Sequence, residues 1–400
     1  MKLNRTILEP EVQEFINSNW NADLTRILLK KQIFDEIPQK VLVEQLEAKK
    51  KCVQKLPTWF RTPKVYYPNK MNIEQSSSEI TASYKADLVK GALLLDLSGG
   101  FGVDSYYFAN RFTKVIHCEK DASLSRITAY NFKLFQKENI NCFPQDGIAF
   151  LQRQEHPLDW IFVDPSRRDA SKKRIFKLKD GLPNVLLHLE LFFKKSSNVM
   201  LKTAPLLDIS EGIQQLPYVK EIHVISVKDE VKELLWILQK GVLDEPIVKT
   251  VNISGDVIQR FQFLLSEEQA ASSRYSAPLN YLYLPNTAIL KSGAFKKIGE
   301  DYNLYKLHKH SHLYTSSTLI GFPGKRFKID KVLPYHKKTI QKEGIVKANI
   351  AVRNFPKSVA TLRQETKVKP GGEDYLFFTT DTNTNLIVVF CTRVIEDRAI

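Results

Sequence analysis

The sequence predicts an α/β fold, a parallel and doubly wound sheet preceded by a helical cap and followed by α+β modules. Three observations carry this prediction. Between residues 91 and 202 apolar strand-length runs alternate with helical patterns. Strands are expected over 93–97, 115–118, 141–143, 160–163 and 199–202, and helices over 103–110, 122–136, 147–152 and 182–194. The first run opens into a glycine-rich turn, Ser98-Gly99-Gly100-Phe101-Gly102, just before a helix. Glu119, Asp146 and Asp164 then stand at the ends of the next runs. Ligands on open parallel sheets sit at those carboxyl ends, so the convergence says more than any one motif.

The elements before the sheet read as helices. Residues 11–20 put Val12, Phe15 and Ile16 on one face, and 22–31 repeat the pattern with Leu24, Ile27 and Leu28. Pro38 opens a third helix whose stripe is Val41, Leu42, Gln45 and Leu46. Lys49, Lys50 and Lys51 on its other face read as a solvated helix end. Pro57, Pro63 and Pro68 break the periodicity, which makes 56–71 a linker or arm. Its Trp59, Phe60, Arg61, Lys64, Tyr66 and Tyr67 suit either stacking on bases or packing the helices onto the next domain. Over 75–90 a serine-rich cap and Glu79 supply another helix start.

After the fifth strand, 222–227 and 234–238 are joined by too short a loop for a crossover helix, so they are expected as antiparallel strands. Residues 248–253 and 257–265 read as a further hairpin around Ser254-Gly255-Asp256. The polar stretch 266–276 reads as a boundary, 281–315 as a small α/β unit, and the rest as an α/β module ending in a hairpin. The expected division is 1–70 for the helical cap and linker, 71–268 for the sheet domain, then 275–320 and 321–400.

Composition narrows the classes. With 400 residues there is room for two or three domains. The formal charge is +15, from 59 Lys+Arg against 44 Asp+Glu, and the pI is near 9.4. Such a balance favours an anionic partner, RNA or DNA before membrane, unless the protein is a generically basic enzyme. Residues 321–400 alone hold 15 Lys+Arg against 8 Asp+Glu. Cys52, Cys118, Cys142 and Cys391 are scattered with no C-x-x-C spacing, so neither a metal site nor a disulfide framework is expected. No run approaches the ~20 apolar residues of a membrane span. The N-terminus lacks an apolar core of signal-peptide type, so a cytoplasmic location is expected.

The strings LLLDLSGGFGVD (93–104), VIHCEKD (115–121) and DWIFVDPSRRD (159–169) together resemble class I S-adenosylmethionine-dependent methyltransferases. More narrowly, YLPNTAILKSGAF, RNFP and KPGGEDYLFFT are similar to bacterial methyltransferases with a small ferredoxin-like domain and a C-terminal THUMP-like domain. The resemblance implies a Rossmann-like class I methyltransferase sheet and S-adenosyl-L-methionine as cofactor. It implies that Asp96, Gly99, Gly100 and Gly102 line the cofactor, with Glu119 at the ribose and Asp146 at the adenine edge. Ser98, Asp104, Lys120 and Gly147 complete that set, with Gln75 and Ser77 beside it and Ser76 and Tyr84 as further candidates. Asp164, Pro165, Ser166 and Arg167 would form the reaction site, although a base N-methyltransferase usually shows proline and an aromatic where Ser166 and Arg167 stand. THUMP domains bind structured RNA, so an RNA-holding surface of Arg326, Lys347, Arg353, Lys357 and Lys369 is implied.

The residues themselves refine this reading. Ser105 stands where the third glycine of a dinucleotide fingerprint belongs, and Asp164-Pro165 makes a rigid lip at the end of the fourth strand. Methyl transfer is an in-line displacement that needs an aligned nucleophile, and Asp164 can orient a base nitrogen. No cysteine lies in the Asp164 loop, which disfavours carbon methylation through a thiolate. The order Lys85, Asp164, Lys202, Glu233 is similar to the tetrad of ribose 2′-O-methyltransferases, though Lys85 and Glu233 read as ordinary surface charges. Lys202 is the member to watch, since a lysine leaving a buried strand needs a partner. Arg167, Arg168, Lys172, Lys173, Arg174, Lys177 and Lys179 crowd the loop after Asp164-Pro165 and suit phosphates flanking a target nucleotide. The expected activity is methylation of a base in tRNA or rRNA. The rivals are ribose methylation, a non-catalytic RNA-binding protein that keeps the pocket, and a small-molecule methyltransferase.

Overall fold

A computed structural model describes residues 4–165 and 177–394. The chain divides into two compact units, Met1–Lys220 with Glu233–Asp244 and Glu221–Lys232 with Glu245–Ile400.

In the first unit β1 (Gly91–Asp96), β2 (Phe112–Cys118), β3 (Ile140–Phe143), β4 (Trp160–Val163) and β5 (Asn198–Thr203) are separated by helices. Each helix returns the chain to the same end of the sheet, which is what parallel pairing requires. β7 (Glu230–Gln239) enters this unit from Lys228 and Asp229, both with positive φ, which follow β6 (Val219–Val227), a strand that belongs mostly to the second unit. The strand order is β3-β2-β1-β4-β5-β7. The first five strands are parallel, and β7 runs antiparallel to β5 from Asn198↔Gln239 to Thr203↔Leu234. A helix not anticipated from the sequence, Ile209–Gln215, stands between β5 and β6. Asp208 caps it, and Gly212 lets it lie against Trp236, whose ring stands 2.2 Å from where a Cβ would be.

The N-terminal helices share a core with this sheet domain. Leu42, Leu46, Trp59, Tyr66 and Tyr67 are buried in one cluster with Phe101, Val103, Leu124 and Ile127. The Trp59 ring meets Tyr106 and Phe135 edge-on, each at 4.9 Å between centroids. Of the two readings of the 56–71 stretch, packing therefore holds for Trp59, Tyr66 and Tyr67, which are too buried to stack on bases. Two further expectations are corrected. The second helix is only Leu24–Leu28, with Ile27 buried and Leu28 exposed. Lys49 is not solvated: it is buried, its Nζ donates to the Phe60 carbonyl at 2.9 Å, and it lies over the Phe60 and Tyr67 rings.

In the second unit β6 pairs parallel with β8 (Ile247–Ser254), which pairs antiparallel with β9 (Val257–Leu264). Where the sequence suggested a boundary, Leu265–Ala270 is helical, and Glu268 accepts hydrogen bonds from the backbone of Lys296 and Lys297. Beyond it lie β10 (Arg274–Tyr275), β11 (Tyr281–Pro285), β12 (Tyr305–Lys306), β13 (Tyr314–Ser316) and β14 (Gly324–Pro334). β15 (Asn349–Val352), β16 (Asp374–Thr380) and β17 (Leu386–Val394) complete an eight-stranded sheet, ordered β10-β12-β13-β11-β14-β17-β16-β15. Side chains alternate across it with the period of a strand. Phe377, Ile387 and Val389 enter one core with Leu282 and Phe327, while Leu376, Phe378 and Val388 enter another with Ile340 and Leu362. Among the described residues, no helix is long and apolar enough to cross a membrane.

Candidate active site

The turn after β1 is built on Asp96. Its carboxylate is buried, with Oδ1 accepting from the Ser98 amide at 3.1 Å and Oδ2 from the Ser105 hydroxyl at 2.6 Å. That hydroxyl also lies 3.0 Å from Nδ1 of the buried His117 on β2. Burial, with smaller repulsions from Asp104 and Asp164, pushes the Asp96 carboxyl up to about 7. Burial likewise pulls His117 down to about 4. Asp96, Ser105 and His117 thus form a buried polar chain that braces the turn. Ser105 and His117 escaped the sequence reading; the one sign of them was a serine where a glycine belonged.

The glycines divide by role. A Cβ on Gly99 would fall 2.1 Å from the His117 ring, and one on Gly102 2.4 Å from Phe132. These two are glycine because protein fills the space. Gly102 also holds a φ of +78°. Gly100 shares that left-handed backbone at +56° but nothing crowds it, with the nearest neighbour of a Cβ at 3.8 Å. Its amide donates to Glu119 Oε2 at 2.9 Å, and Glu119 Oε1 accepts from the Asp121 amide at 2.7 Å. Glu119 is thereby fixed at the end of β2, half-buried, its carboxyl raised chiefly by burial. At the end of β3, Asp146 Oδ1 caps the helix Gly147–Arg153 by accepting from the Ala149 amide at 3.0 Å. Gly147 sits where a Cβ would come within 2.2 Å of the Leu97 carbonyl.

Asp164 ties the turn to the rest of the sheet. Its amide donates to Ser98 Oγ at 2.7 Å, and its Oδ2 lies 2.5 Å from Lys202 Nζ on β5. Lys202 is buried and Asp164 partly exposed, so the pair presents one carboxylate edge outward. Gly181 packs against Pro165, with a Cβ placed 2.9 Å from the ring.

A second charged cluster lies in the same unit. Lys85 is fully buried, with Nζ 2.7 Å from Glu233 Oε1, 3.0 Å from Asp104 Oδ1 and 2.9 Å from Ser77 Oγ. Ser77 Oγ also donates to Asp104 Oδ2 at 2.7 Å. The contact with Asp104 Oδ1 is one of charge, since that oxygen accepts no well-directed hydrogen bond. Burial opposes the charge on Lys85, but Asp104 and Glu233 outweigh it and hold the ammonium above its ordinary value. The expectation of surface charge at Lys85 and Glu233 is therefore corrected. Lys85 falls between Ala82, Ala86 and Val89 on the buried face of its helix, and that spacing was the missed signal.

Of the other candidates, Gln75 and Lys120 are exposed. Ser166, Arg167, Arg168, Lys172, Lys173 and Arg174 lie outside the described residues. In the second unit Arg326 donates to the Ile320 carbonyl at 3.3 Å, Arg353 is half-buried, and Lys357 pairs with Glu365 at 2.8 Å. Lys347 and Lys369 are exposed. Of the cysteines in the sheet domain, Cys142 is pushed up to about 12 by burial and Cys118 higher still, so neither carries a thiolate at neutral pH. Among the described residues no group of three or more His, Cys, Asp or Glu is placed to hold a metal ion.

The chain is similar to known proteins in sequence over its C-terminal part and in structure over nearly its whole length. Residues 281–323 match a family model described as a ferredoxin-like domain, and 324–393 one described as THUMP domain-like. The crystal structure of a "putative methyltransferase from Porphyromonas gingivalis W83" superposes with a TM-score of 0.89 at 29% identity, covering 99% of this chain and 100% of that one. An rRNA methylase from Streptococcus thermophilus overlaps 40% of this chain and 94% of its own at 11% identity and a TM-score of 0.30. TrmK of M. capricolum, in complex with S-adenosylhomocysteine, overlaps 44% of this chain and 70% of its own at 15% identity and 0.32. Neither partial overlap bears on the chemistry. No curated protein matches the chain in sequence.

Proposed function

We propose that this protein is an S-adenosylmethionine-dependent methyltransferase acting on a base in structured RNA, tRNA or rRNA. The observation that carries the reading is Asp164-Pro165 at the end of β4, tied by Ser98 to the glycine turn and by Lys202 to β5. A methyl-donor turn and a nucleophile-orienting carboxylate are thereby held in fixed relation. The whole-chain likeness to the Porphyromonas gingivalis protein supports the methyltransferase class. The charge of +15 and the THUMP domain-like match support an RNA substrate. In this reading 1–70 is a cap and linker, 71–268 the catalytic domain, and 275–320 and 321–400 the ferredoxin-like and THUMP-like modules that hold the RNA.

S-adenosylmethionine supplies an electrophilic methyl group on a sulfonium. The residues present fit it. Gly100 is open, and each Glu119 oxygen accepts one amide, which leaves lone pairs for the two ribose hydroxyls. Asp146 uses Oδ1 for its helix and keeps Oδ2 for the adenine amine. At the reaction site Lys202 engages Asp164 Oδ2, so Oδ1 accepts an N–H of the target base and turns the nitrogen lone pair toward the methyl group. The same oxygen takes up the proton that the nitrogen loses. Pro165, backed by Gly181, is the lip against which the base rests. Lys85 is held as an ammonium between two carboxylates and is no base for a ribose hydroxyl, which leaves Lys202 as the tetrad's lysine at Asp164 for the second reading, ribose methylation.

The test is transfer of labelled methyl from S-adenosylmethionine to size-fractionated total bacterial RNA, with Asp164→Ala alongside. Label in one fraction, lost in a variant that still binds the cofactor, is expected. Equal label with Asp164→Ala, or none from cofactor-bound wild type, would refute the reading.

A further inference from the structure

The loop from β12 to β13 reads Lys306-Leu307-His308-Lys309-His310-Ser311-His312-Leu313, three histidines at alternate positions with Lys309 and Ser311 between them. Arg353 and Asn354, at the end of β15, meet it: the Asn354 amide and His308 Nδ1 are 2.9 Å apart. His308 and His310 lie 5.6 Å apart between ring centroids, and His312 stacks on Phe295 at 3.7 Å. Six basic side chains thus gather where the ferredoxin-like match adjoins the THUMP domain-like match. Among the described residues, none of the six forms an ion pair.

The buried member lacks an ion-pair partner among the described residues. Lys306 is 4% exposed, yet among the described residues its Nζ meets the Lys309 carbonyl, at 3.0 Å, and the faces of Phe295 and Tyr314, each at 5.9 Å, and no carboxylate within ion-pair distance. A buried ammonium is ordinarily paired. The imidazoles register the same field. Burial first, then Lys306, Arg353 and His310, pulls His312 down to about 4, and burial, His310, Lys309 and Lys306 lower His308. The carboxylates that act on the cluster do so without an ion pair: Glu268 on Lys306, Asp229 on Arg353 and, last among its causes, Asp381 on His308. The Nδ1 of His312 is also buried without a hydrogen-bond partner. His310, Lys309 and Asn354 are exposed and give an incoming group access.

We propose that Lys306, His308, Lys309, His310, His312 and Arg353 form a phosphate-binding site for a phosphodiester of the RNA substrate, at the seam between the ferredoxin-like and THUMP-like modules. An oxyanion there supplies the missing countercharge, with Lys309 and the imidazole N–H groups as donors. The proposal rests on the RNA reading above.

The test uses the full chain and two probes. Binding of bulk tRNA is followed by fluorescence anisotropy across a salt series, for wild type and for Lys309→Ala combined with His310→Ala, both at exposed positions. The double variant is expected to bind more weakly at low salt, with a log–log salt slope shallower by about 1. Inorganic phosphate is then titrated while the imidazole proton resonances are recorded; shifts of the His308, His310 and His312 signals are expected, with other histidines still. Wild type that binds tRNA no better than the variant, with an equal slope, would overturn the site and leave the RNA reading standing. Wild type that binds no RNA would overturn both, and still imidazoles in phosphate would overturn the site alone.

Discussion

Replacing Lys85 with methionine keeps an unbranched side chain one heavy atom shorter and removes its charge. Asp104 and Glu233 would then face one another in a site where Lys85 is 0% exposed and Glu233 4%. Deleting one partner of a buried ion pair costs about 3–5 kcal/mol, because the remaining charge stays buried and uncompensated. At a urea slope of about 3 kcal/mol/M, that lowers the midpoint by about 1–1.7 M. The assay is well placed, since all four tryptophans, Trp20, Trp59, Trp160 and Trp236, belong to the first unit, and their emission reports on its unfolding. The double variant Lys85→Met with Glu233→Leu removes a carboxylate along with the ammonium and should recover most of the loss. A coupling of about 2 kcal/mol between the two positions is in the range for contacting groups. If Lys85→Met stays within about 0.5 kcal/mol of wild type, as surface substitutions do, the buried cluster is not what holds these elements together.

Three other outcomes follow from the same geometry. Glu119→Gln weakens S-adenosylmethionine binding by about 10- to 100-fold, the worth of a charge-assisted hydrogen bond to a ribose hydroxyl; calorimetry reads it, and unchanged affinity would remove Glu119 from the site. Trp59→Ala opens a cavity among Phe101, Tyr106 and Phe135 and costs about 3–5 kcal/mol by the same urea assay. Asp96 sets a pH trend: its carboxyl rises from 3.8 to about 7 on folding, so its contribution is fully present below 3.8 and is lost as pH climbs through 7. That change corresponds to about 4 kcal/mol. His117, lowered from 6.5 to about 4, opposes it, contributing above 6.5 and losing that contribution as pH falls through 4. Asp96→Asn deletes only the first trend, so its stability relative to wild type should climb between pH 4 and 7, and a flat difference would show that Asp96 is ionised throughout.

The strand ends were legible because the evidence was local: Gly100, Glu119, Asp146 and Asp164 each close an apolar run and open a turn or helix. What escaped was set by partners far along the chain. Lys85 reads as a surface lysine until Glu233, 148 residues on, is brought beside it. Gly99 and Gly102 looked like places where a ligand approaches, and it takes the positions of His117 and Phe132 to see that protein occupies the space. Lys49 read as solvated because nothing in its own helix announces the Phe60 carbonyl and the two rings that enclose it. The histidine loop was passed over for the opposite reason. Its pattern is plain in the sequence, but its meaning depends on Phe295, Tyr314 and Arg353, which only folding assembles around it.

The pairing of Lys85 with Glu233 also sets an order of events during synthesis. β1 to β4 and the glycine turn emerge from the ribosome well before β7, yet the helix carrying Lys85 cannot settle with its charge satisfied until Glu233 has been made. A nascent chain paused before that residue holds a lysine on the apolar face of its helix with Asp104 as its only acidic partner in the cluster. β7 therefore closes the charge balance of a helix made some 148 residues earlier, so the first unit reaches its full complement of buried ion pairs only when its last strand is in place.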